Sequence, residues 1–333
     1  MGEKNKIKVN FNFHEQLPDN GKWKKRHHKK YLEYRRKWNE NPYDYIVERM
    51  PIHLDIETSS ICNLRCPMCL CTVELEKGEK SNIKYGLMSW ELYKKIIDEA
   101  ARIGVYSIKL NWRGEPTLNE KLVDMVRYAK EKGILDIMIN TNAVKLNKDL
   151  SDALINAGLD KIFFSIDSID PDKYSKIRVG AKFEQVIQNI KYFAAYNEEA
   201  GHPVFIRIQK VLMTDTEAEN EEFKQYFADI ADQVAFEDYI PYGDRKFGRS
   251  IEMRGEKIKF SCSQLWQRLL ITWDGECRAC CVSADIPYIL GNIAEDSIEK
   301  IWNGERLEHL REMHKKGEWY KCGLCKNCYI PYM

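Results

Sequence analysis

Cys62, Cys66 and Cys69 stand at C-x3-C-x2-C spacing. Three thiolates so placed can hold three irons of a [4Fe–4S] cube and leave the fourth iron without a protein ligand. An open iron can take a small molecule. The competing chemistry is a closed zinc site, which needs four ligands and has Cys71 available as its fourth. The other seven cysteines lie far downstream, at 262, 277, 280, 281, 322, 325 and 328. The N-terminus has neither an apolar signal core nor an Arg-rich, acid-poor transit composition, so the cytoplasm is the expected compartment. Clustered cysteines in a reducing compartment read as metal ligands rather than as a disulfide scaffold. Two groups so far apart predict two metal sites in two domains.

The first group follows a strand-like run, 52–57, and from there the pattern alternates. Runs rich in β-branched and aromatic residues recur at 105–111, 134–140, 161–166, 204–209 and 233–236, with helical-period segments at 89–103, 120–132, 148–157, 183–199 and 219–230. Ser89 opens a helix, and Gly104 and Gly133 sit where helices should stop. Alternating βα units imply a parallel sheet with right-handed crossovers, which places its chemistry just beyond the strand ends. Six units are two short of a full eightfold barrel, and composition does not separate an open barrel from a doubly wound sheet.

Polar signals do cluster after these strands. Asn111-Trp112-Arg113-Gly114-Glu115-Pro116 follows the second, Asn140-Thr141-Asn142 the third, and Phe164-Ser165-Ile166-Asp167-Ser168 the fourth, with Arg178 further on. Gly114 permits close backbone approach, and Glu115 offers negative charge to a cation. Asp170-Pro171 reads as a helix N-cap with proline in the first turn. In this order, the cysteine triad, Gly-Glu-Pro, Thr-Asn and Ser-Ile-Asp resemble the radical S-adenosylmethionine (SAM) superfamily over about residues 50–237. Two departures stand out: Met68 replaces the usual aromatic residue before the third cysteine, and Arg113 replaces the first glycine of Gly-Gly-Glu-Pro. The resemblance implies a partial (β/α)6 TIM-like barrel in which SAM chelates the open iron. It also implies SAM contacts from Gly114, Glu115, Pro116, Thr141, Asn142, Ser165 and Arg178. The bound SAM is then cleaved reductively to methionine and a 5′-deoxyadenosyl radical.

The second cysteine group resembles the SPASM/twitch auxiliary-cluster domain of that superfamily. The matching pieces are Cys262, Gly275 to Cys280, Leu290-Gly291-Asn292-Ile293, Ile301-Trp302-Asn303-Gly304 and Cys325-Lys326-Asn327-Cys328. The Cys-x2-Cys-x5-Cys pattern of a two-cluster SPASM domain is absent. The resemblance therefore implies one auxiliary [4Fe–4S] cluster on Cys262, Cys280, Cys325 and Cys328, with Cys322 as the substitute. Cys71, Cys277 and Cys281 are left over, and a spare thiol is more often a small buried apolar residue than a reactive one. A hairpin at Asp274-Gly275, with Cys280-Cys281 closing its second strand, and a helix over 298–315 are expected within this domain.

The expected organisation is a basic extension over 1–50, the barrel over 51–238, a linker over 239–259 and the small cysteine-rich domain over 260–333. Residues 1–20 read as a loose arm. Residues 22–37 carry many Lys and Arg among aromatics, including Lys24, Lys25 and Arg26; the reading is a helix whose Trp23, Tyr31, Tyr34 and Trp38 cover the barrel, with an acidic or nucleic-acid partner as the alternative. A net charge of +1 argues neither for nucleic acid nor for an anionic membrane, and no run approaches a membrane span. The leading functional reading is hydrogen abstraction from a small, sugar-like substrate leading to oxidation, with the auxiliary cluster accepting an electron, or to epimerisation, with Cys277 or Cys281 as hydrogen donor. An electron donor such as flavodoxin or ferredoxin is implied. The alternatives are peptide or protein maturation, and a cluster-bearing nucleic-acid-binding protein.

Overall fold

A computed structural model describes residues 6–9, 14–17, 19–23, 27–81, 83–240, 258–281, 286 and 288–332. Its elements are β1 (Lys6–Lys8), β2 (His14–Leu17), α1 (Lys29–Asp44), β3 (His53–Ile56), α2 (Leu70–Glu76), α3 (Trp90–Ile103) and β4 (Ser107–Lys109). Next come α4 (Leu122–Glu131), β5 (Asp136–Thr141), α5 (Lys148–Asn156), β6 (Lys161–Ser165), α6 (Pro171–Ile177), α7 (Phe183–Glu199), β7 (Phe205–Leu212), α8 (Glu217–Phe227) and β8 (Gln233–Asp238). The C-terminal part adds β9 (Phe260–Cys262), α9 (Gln264–Gln267), β10 (Arg268–Ile271), β11 (Glu276–Arg278), β12 (Ile289–Asn292), α10 (Ile298–Trp302) and α11 (Glu305–Lys315).

Strands β3 to β8 run parallel in chain order, the arrangement that alternating βα units dictate. The helices between them start and stop on local chemistry. The Ser89 hydroxyl accepts the Leu92 N–H at 3.2 Å, Gly104 ends α3 at φ 86°, and the Asp170 carboxylate accepts the Lys173 N–H at 2.7 Å. Their apolar faces, such as Tyr93, Ile96, Ile97 and Ala100 of α3, pack on the outer face of the sheet.

The sheet is larger than six strands. Its order is β12-β11-β10-β3-β4-β5-β6-β7-β8-β2, with β10 parallel to β3 and β2 antiparallel to β8. Among the described residues no ladder joins its two edges. Residues from eight of these strands, β10, β3 to β8 and β2, nevertheless surround one cavity, so the sheet is strongly curled. Polar residues at alternating positions face inward, among them His53, Lys109, Asn140, Lys161, Arg207, Gln209, Gln233, Glu237 and Arg268.

Four expectations are corrected. The first twenty residues are not simply a loose arm: β2 pairs with β8, and β1 pairs in parallel with β9, Lys8 opposite Cys262. Such short, polar edge strands carry no periodicity to read. The basic helix begins at Lys29 and runs on to Asp44, while Lys24, Lys25 and Arg26 lie outside the described residues. The aromatics of this segment are buried as expected: Trp23, Tyr34 and Trp38 are at most 5% exposed, and Trp23, ahead of the helix, packs with Met138, Phe163 and Phe205 of β5, β6 and β7. The C-terminal helix is two helices, α10 and α11, broken at Asn303-Gly304. Cys280 and Cys281 lie beyond β11, not within it. The expected hairpin is present, with Gly275 at φ 89° between β10 and β11. Residues 241–257 of the expected linker lie outside the described residues. No helix among the described residues is long and apolar enough to cross a membrane.

Candidate active site

The site is built on the loops that leave the C-terminal ends of β3 to β6. Beyond β3 the chain is buried through Glu57, Thr58, Ser59 and Ser60, then surfaces at Ile61. The Leu64 N–H points at Cys62 Sγ at 3.4 Å, and Cys69 N–H donates to the Cys66 carbonyl at 3.0 Å, curling the cysteine loop inward. Burial pushes the Cys66 thiol up to about 12, whereas a hydrogen bond from Cys71 draws Cys69 down to about 6. Met68 is buried and lines the same cavity as the three cysteines, where an aromatic ring was the family expectation.

Gly114 lies against this loop at φ 67°, and a Cβ there would come within 2.4 Å of the Ser59 carbonyl oxygen and 2.7 Å of that of Ile61. Only glycine fits such a backbone-on-backbone approach. Gly114→Ala is therefore expected to cost about 2 kcal/mol or more, from the left-handed conformation and the displaced loop together. Chemical denaturation would measure this, and a loss below about 0.5 kcal/mol would contradict it.

Next to it, the Glu115 carboxylate ties neighbouring loops together. Its Oε1 accepts from Thr117 N–H, Thr117 Oγ1 and Thr141 Oγ1, and its Oε2 accepts from Asn142 N–H at 2.8 Å. Each carboxylate oxygen has about two lone-pair directions, so Oε1 shares its two among three donors while Oε2, with one donor, has the other open. Burial raises the Glu115 pKa, opposed by these donors. Asn142 Nδ2 donates to Asn63 Oδ1 at 2.9 Å, which ties the third loop to the cysteine loop.

Ser165 ends β6. Arg178 follows α6 and pairs through Nε with Asp167 Oδ2 at 2.6 Å, and Asp167 Oδ1 accepts from Val211 N–H. Burial alone would lower the Arg178 pKa; the neighbouring Asp167 and Cys66 outweigh it and hold the guanidinium charged. A cavity of about 300 Å³ is lined by Cys62, Cys66, Cys69, Gly114, Glu115, Thr141, Asn142, Ser165 and Arg178. Of the residues singled out in the sequence for this site, Pro116 alone is not in that lining; it starts the short turn Pro116–Leu118 behind Glu115.

The residues fit a three-cysteine cluster with SAM. The thiols converge on one cavity beside a fixed cation, Arg178, with Gly114 and Glu115 in its lining.

The second group gathers around β9 and the C-terminal turns. Cys322, Cys325 and Cys328 follow one another in tight turns, with Cys325 N–H on the Cys322 carbonyl and Cys328 N–H on that of Cys325. Burial pushes the Cys262 thiol up, and Cys280 and Cys328 add to it; Cys325 is raised first by its hydrogen bond to Cys322. That bond in turn draws Cys322 down to about 6. Among the described residues no three Cys, His, Asp or Glu side chains converge as tightly as a single ion demands. A set of thiolates is the ligand chemistry of an iron–sulfur cluster. Cys277 is fully buried and lines neither cavity. Cys281 lines the larger one, where its Sγ meets Gln264 at 3.3 Å.

Three features escaped the sequence. Arg113 forms a two-pronged ion pair with Glu57, at 2.7 and 2.9 Å, both side chains buried. His314 accepts from Cys262 N–H at 3.0 Å through Nδ1 and lies 3.5 Å from Cys325 Sγ through Nε2, with its pKa lowered to about 4 by burial. A lone histidine on a helix gave no signal. The third is a cavity of about 820 Å³ inside the curled sheet, which shares Cys69, Trp112, Gly114, Asn140, Glu237 and Ile240 with the smaller one.

The family model of the radical SAM superfamily matches residues 56–213, and that of an iron–sulfur cluster-binding domain, SPASM, matches 262–329. The chain is 26% identical over 318 residues to the tungsten-containing aldehyde ferredoxin oxidoreductase cofactor-modifying protein of Pyrococcus furiosus, covering 82% of this chain and 86% of that one. It is 31% identical over 199 residues to GTP 3′,8-cyclase of Limosilactobacillus fermentum, covering 59% of this chain and only 57% of the cyclase. Among solved structures, Streptococcus suis SuiB bound to S-adenosylmethionine superposes with a TM-score of 0.66 at 17% identity, over 90% of this chain and 76% of that one. BtrN in complex with AdoMet and 2-DOIA gives 0.55 at 20% identity, over 85% and 94%. At such identities the likeness is one of fold.

Proposed function

This chain is a radical SAM enzyme with a C-terminal SPASM iron–sulfur domain, and from that premise we propose that it oxidises or epimerises a small, hydroxyl-bearing substrate inside the curled sheet. Its cofactors are a [4Fe–4S] cluster with SAM and an auxiliary cluster. When bound, cluster and SAM together supply the reductive cleavage that yields a 5′-deoxyadenosyl radical.

The residues of the smaller cavity take these roles in the proposal. Cys62, Cys66 and Cys69 hold the cluster. Arg178, kept charged by Asp167, and Ser165 receive the SAM carboxylate. The open lone pair of Glu115 Oε2 receives the α-ammonium, beside the Gly114 turn, while Thr141 and Asn142 position the ribose side. Cys262, Cys280, Cys325 and Cys328 hold the auxiliary cluster, with Cys322 at hand.

One observation carries the small-substrate reading: the 820 Å³ cavity joins the smaller one at six shared residues and has a polar wall. Trp23 and Tyr31, from the segment ahead of the strands, contribute to its lining and bound its size. The cavity is the size of a small-molecule site. The Pyrococcus relative, named for modifying a cofactor, supports a small substrate too. Cys281 lines this cavity and Cys277 does not, so Cys281 is the hydrogen donor of any epimerisation. SuiB bound to its precursor peptide SuiA and anSMEcpe with a bound peptide share the fold, and peptide maturation remains the second reading.

The test is incubation of the reduced protein with SAM and perdeuterated myo-inositol or glucosamine. Deuterium in the 5′-deoxyadenosine supports the proposal. SAM cleavage that takes label from a peptide and from neither small probe would replace it with the second reading.

A further inference from the structure

Glu237 stands where the two cavities meet. It lies near the end of β8, level with Val211 of β7, and of the six residues lining both cavities it brings the one carboxylate. The nearby acids are engaged: Asp238 with His14, Asp167 with Arg178, Asp55 with Arg268, and Glu115 with its four donors. Among the described residues no hydrogen bond or ion pair occupies the Glu237 carboxylate. Two further groups on the larger cavity's wall are unspent. Asn140 Oδ1 and Gln209 Oε1 are buried with no hydrogen-bond partner. Turning either amide would only exchange an acceptor for a donor, so a polar edge faces the cavity in both orientations. A buried polar edge without a partner is costly, and a ligand rich in hydroxyl groups would relieve it.

We propose that Glu237 is a catalytic acid–base residue, which takes the hydroxyl proton from a polyol or amino-polyol held by Asn140 and Gln209. This rests on the oxidation reading above. The reaction balances as follows. The substrate C–H hydrogen leaves as an atom to the 5′-deoxyadenosyl group, the O–H proton goes to a Glu237 oxygen, and the remaining electron goes to the auxiliary iron–sulfur cluster. The C–O bond becomes C=O. Burial holds the Glu237 carboxyl above its ordinary value, with Lys109 and Arg207 pulling the other way and Asp167 adding to the rise. A base so placed accepts a proton more readily near neutral pH.

The test compares wild type, Glu237→Gln and Glu237→Asp holoenzymes with SAM and perdeuterated myo-inositol or glucosamine. E237Q is expected to lower ketone formation about 100-fold or more, a larger fall than in its transfer of deuterium into 5′-deoxyadenosine. E237D is expected to restore part of it with a displaced pH–rate profile. A second readout needs no turnover: without reductant, calorimetry should show the SAM-loaded E237Q protein binding the probe about tenfold more weakly, as loss of a charge-assisted hydrogen bond implies. Ketone formation by E237Q within about threefold of wild type would overturn the role of Glu237 and leave the oxidation reading standing. A wild type that neither binds nor takes label from either probe would overturn the small-polyol reading, and this inference with it.

Discussion

Replacing Cys62, Cys66 and Cys69 together by alanine is expected to abolish SAM cleavage and to leave about four irons per chain where the native protein carries about eight, as two four-iron clusters require. The reasoning is spatial. These three thiols converge on the 300 Å³ cavity, while Cys262 of β9, Cys280 beyond β11 and Cys322, Cys325 and Cys328 of the C-terminal turns form a second group, with none of them in that cavity's lining. Removing one set leaves the other's ligands intact. The measurement is iron and sulfide content after anaerobic reconstitution, with 5′-deoxyadenosine assayed beside it. Retention of no iron would sink the assignment of a second cluster to the C-terminal cysteines. Retention of all of it would sink the assignment of the first to the triad.

The largest effect on stability is expected from Arg113→Ala. Glu57 is fully buried, takes both prongs of the guanidinium and accepts the Trp273 N–H only weakly at 3.3 Å. Removing the arginine strands a buried carboxylate, a change that costs about 3–5 kcal/mol. The paired replacement Glu57→Met with Arg113→Met removes both charges and should recover most of that loss. Denaturant titration of the wild type, the single and the double variant checks the pattern. A single variant losing less than about 1 kcal/mol would show that Glu57 has another partner. The pair also explains a departure from the family. Where the first glycine of the motif is expected, this chain has an arginine that bolts the second loop to the end of β3.

Legibility followed the range over which each signal acts. The six parallel strands and their helices were readable because apolar period and local caps are written within one element, as at Ser89, Asp170 and Gly104. The residues proposed for the SAM side line one cavity, and most were readable because their motifs sit directly after their strands. Strands β1 and β2 were not, since Lys6–Lys8 and His14–Leu17 are short and polar and owe their conformation to partners more than two hundred residues away. Glu237, His314 and the Arg113–Glu57 pair were missed for the same reason. Each is an ordinary residue in its own neighbourhood and acquires meaning from side chains on distant elements. Asn303-Gly304 differs in kind: a glycine inside an apolar helical pattern marks a break that periodicity alone overrides.

The two-part attachment of the N-terminal segment bears on how the protein is made. β1 pairs with β9 and β2 with β8, so Lys6–Lys8 and His14–Leu17 cannot find their places until residues 233–262 have been synthesised. Contacts of such long sequence separation form late, because the loop they close is entropically expensive. Trp23, which packs against Met138, Phe163 and Phe205, follows directly on these strands. During that interval the inner face of the parallel strands is open at the end that the segment later covers.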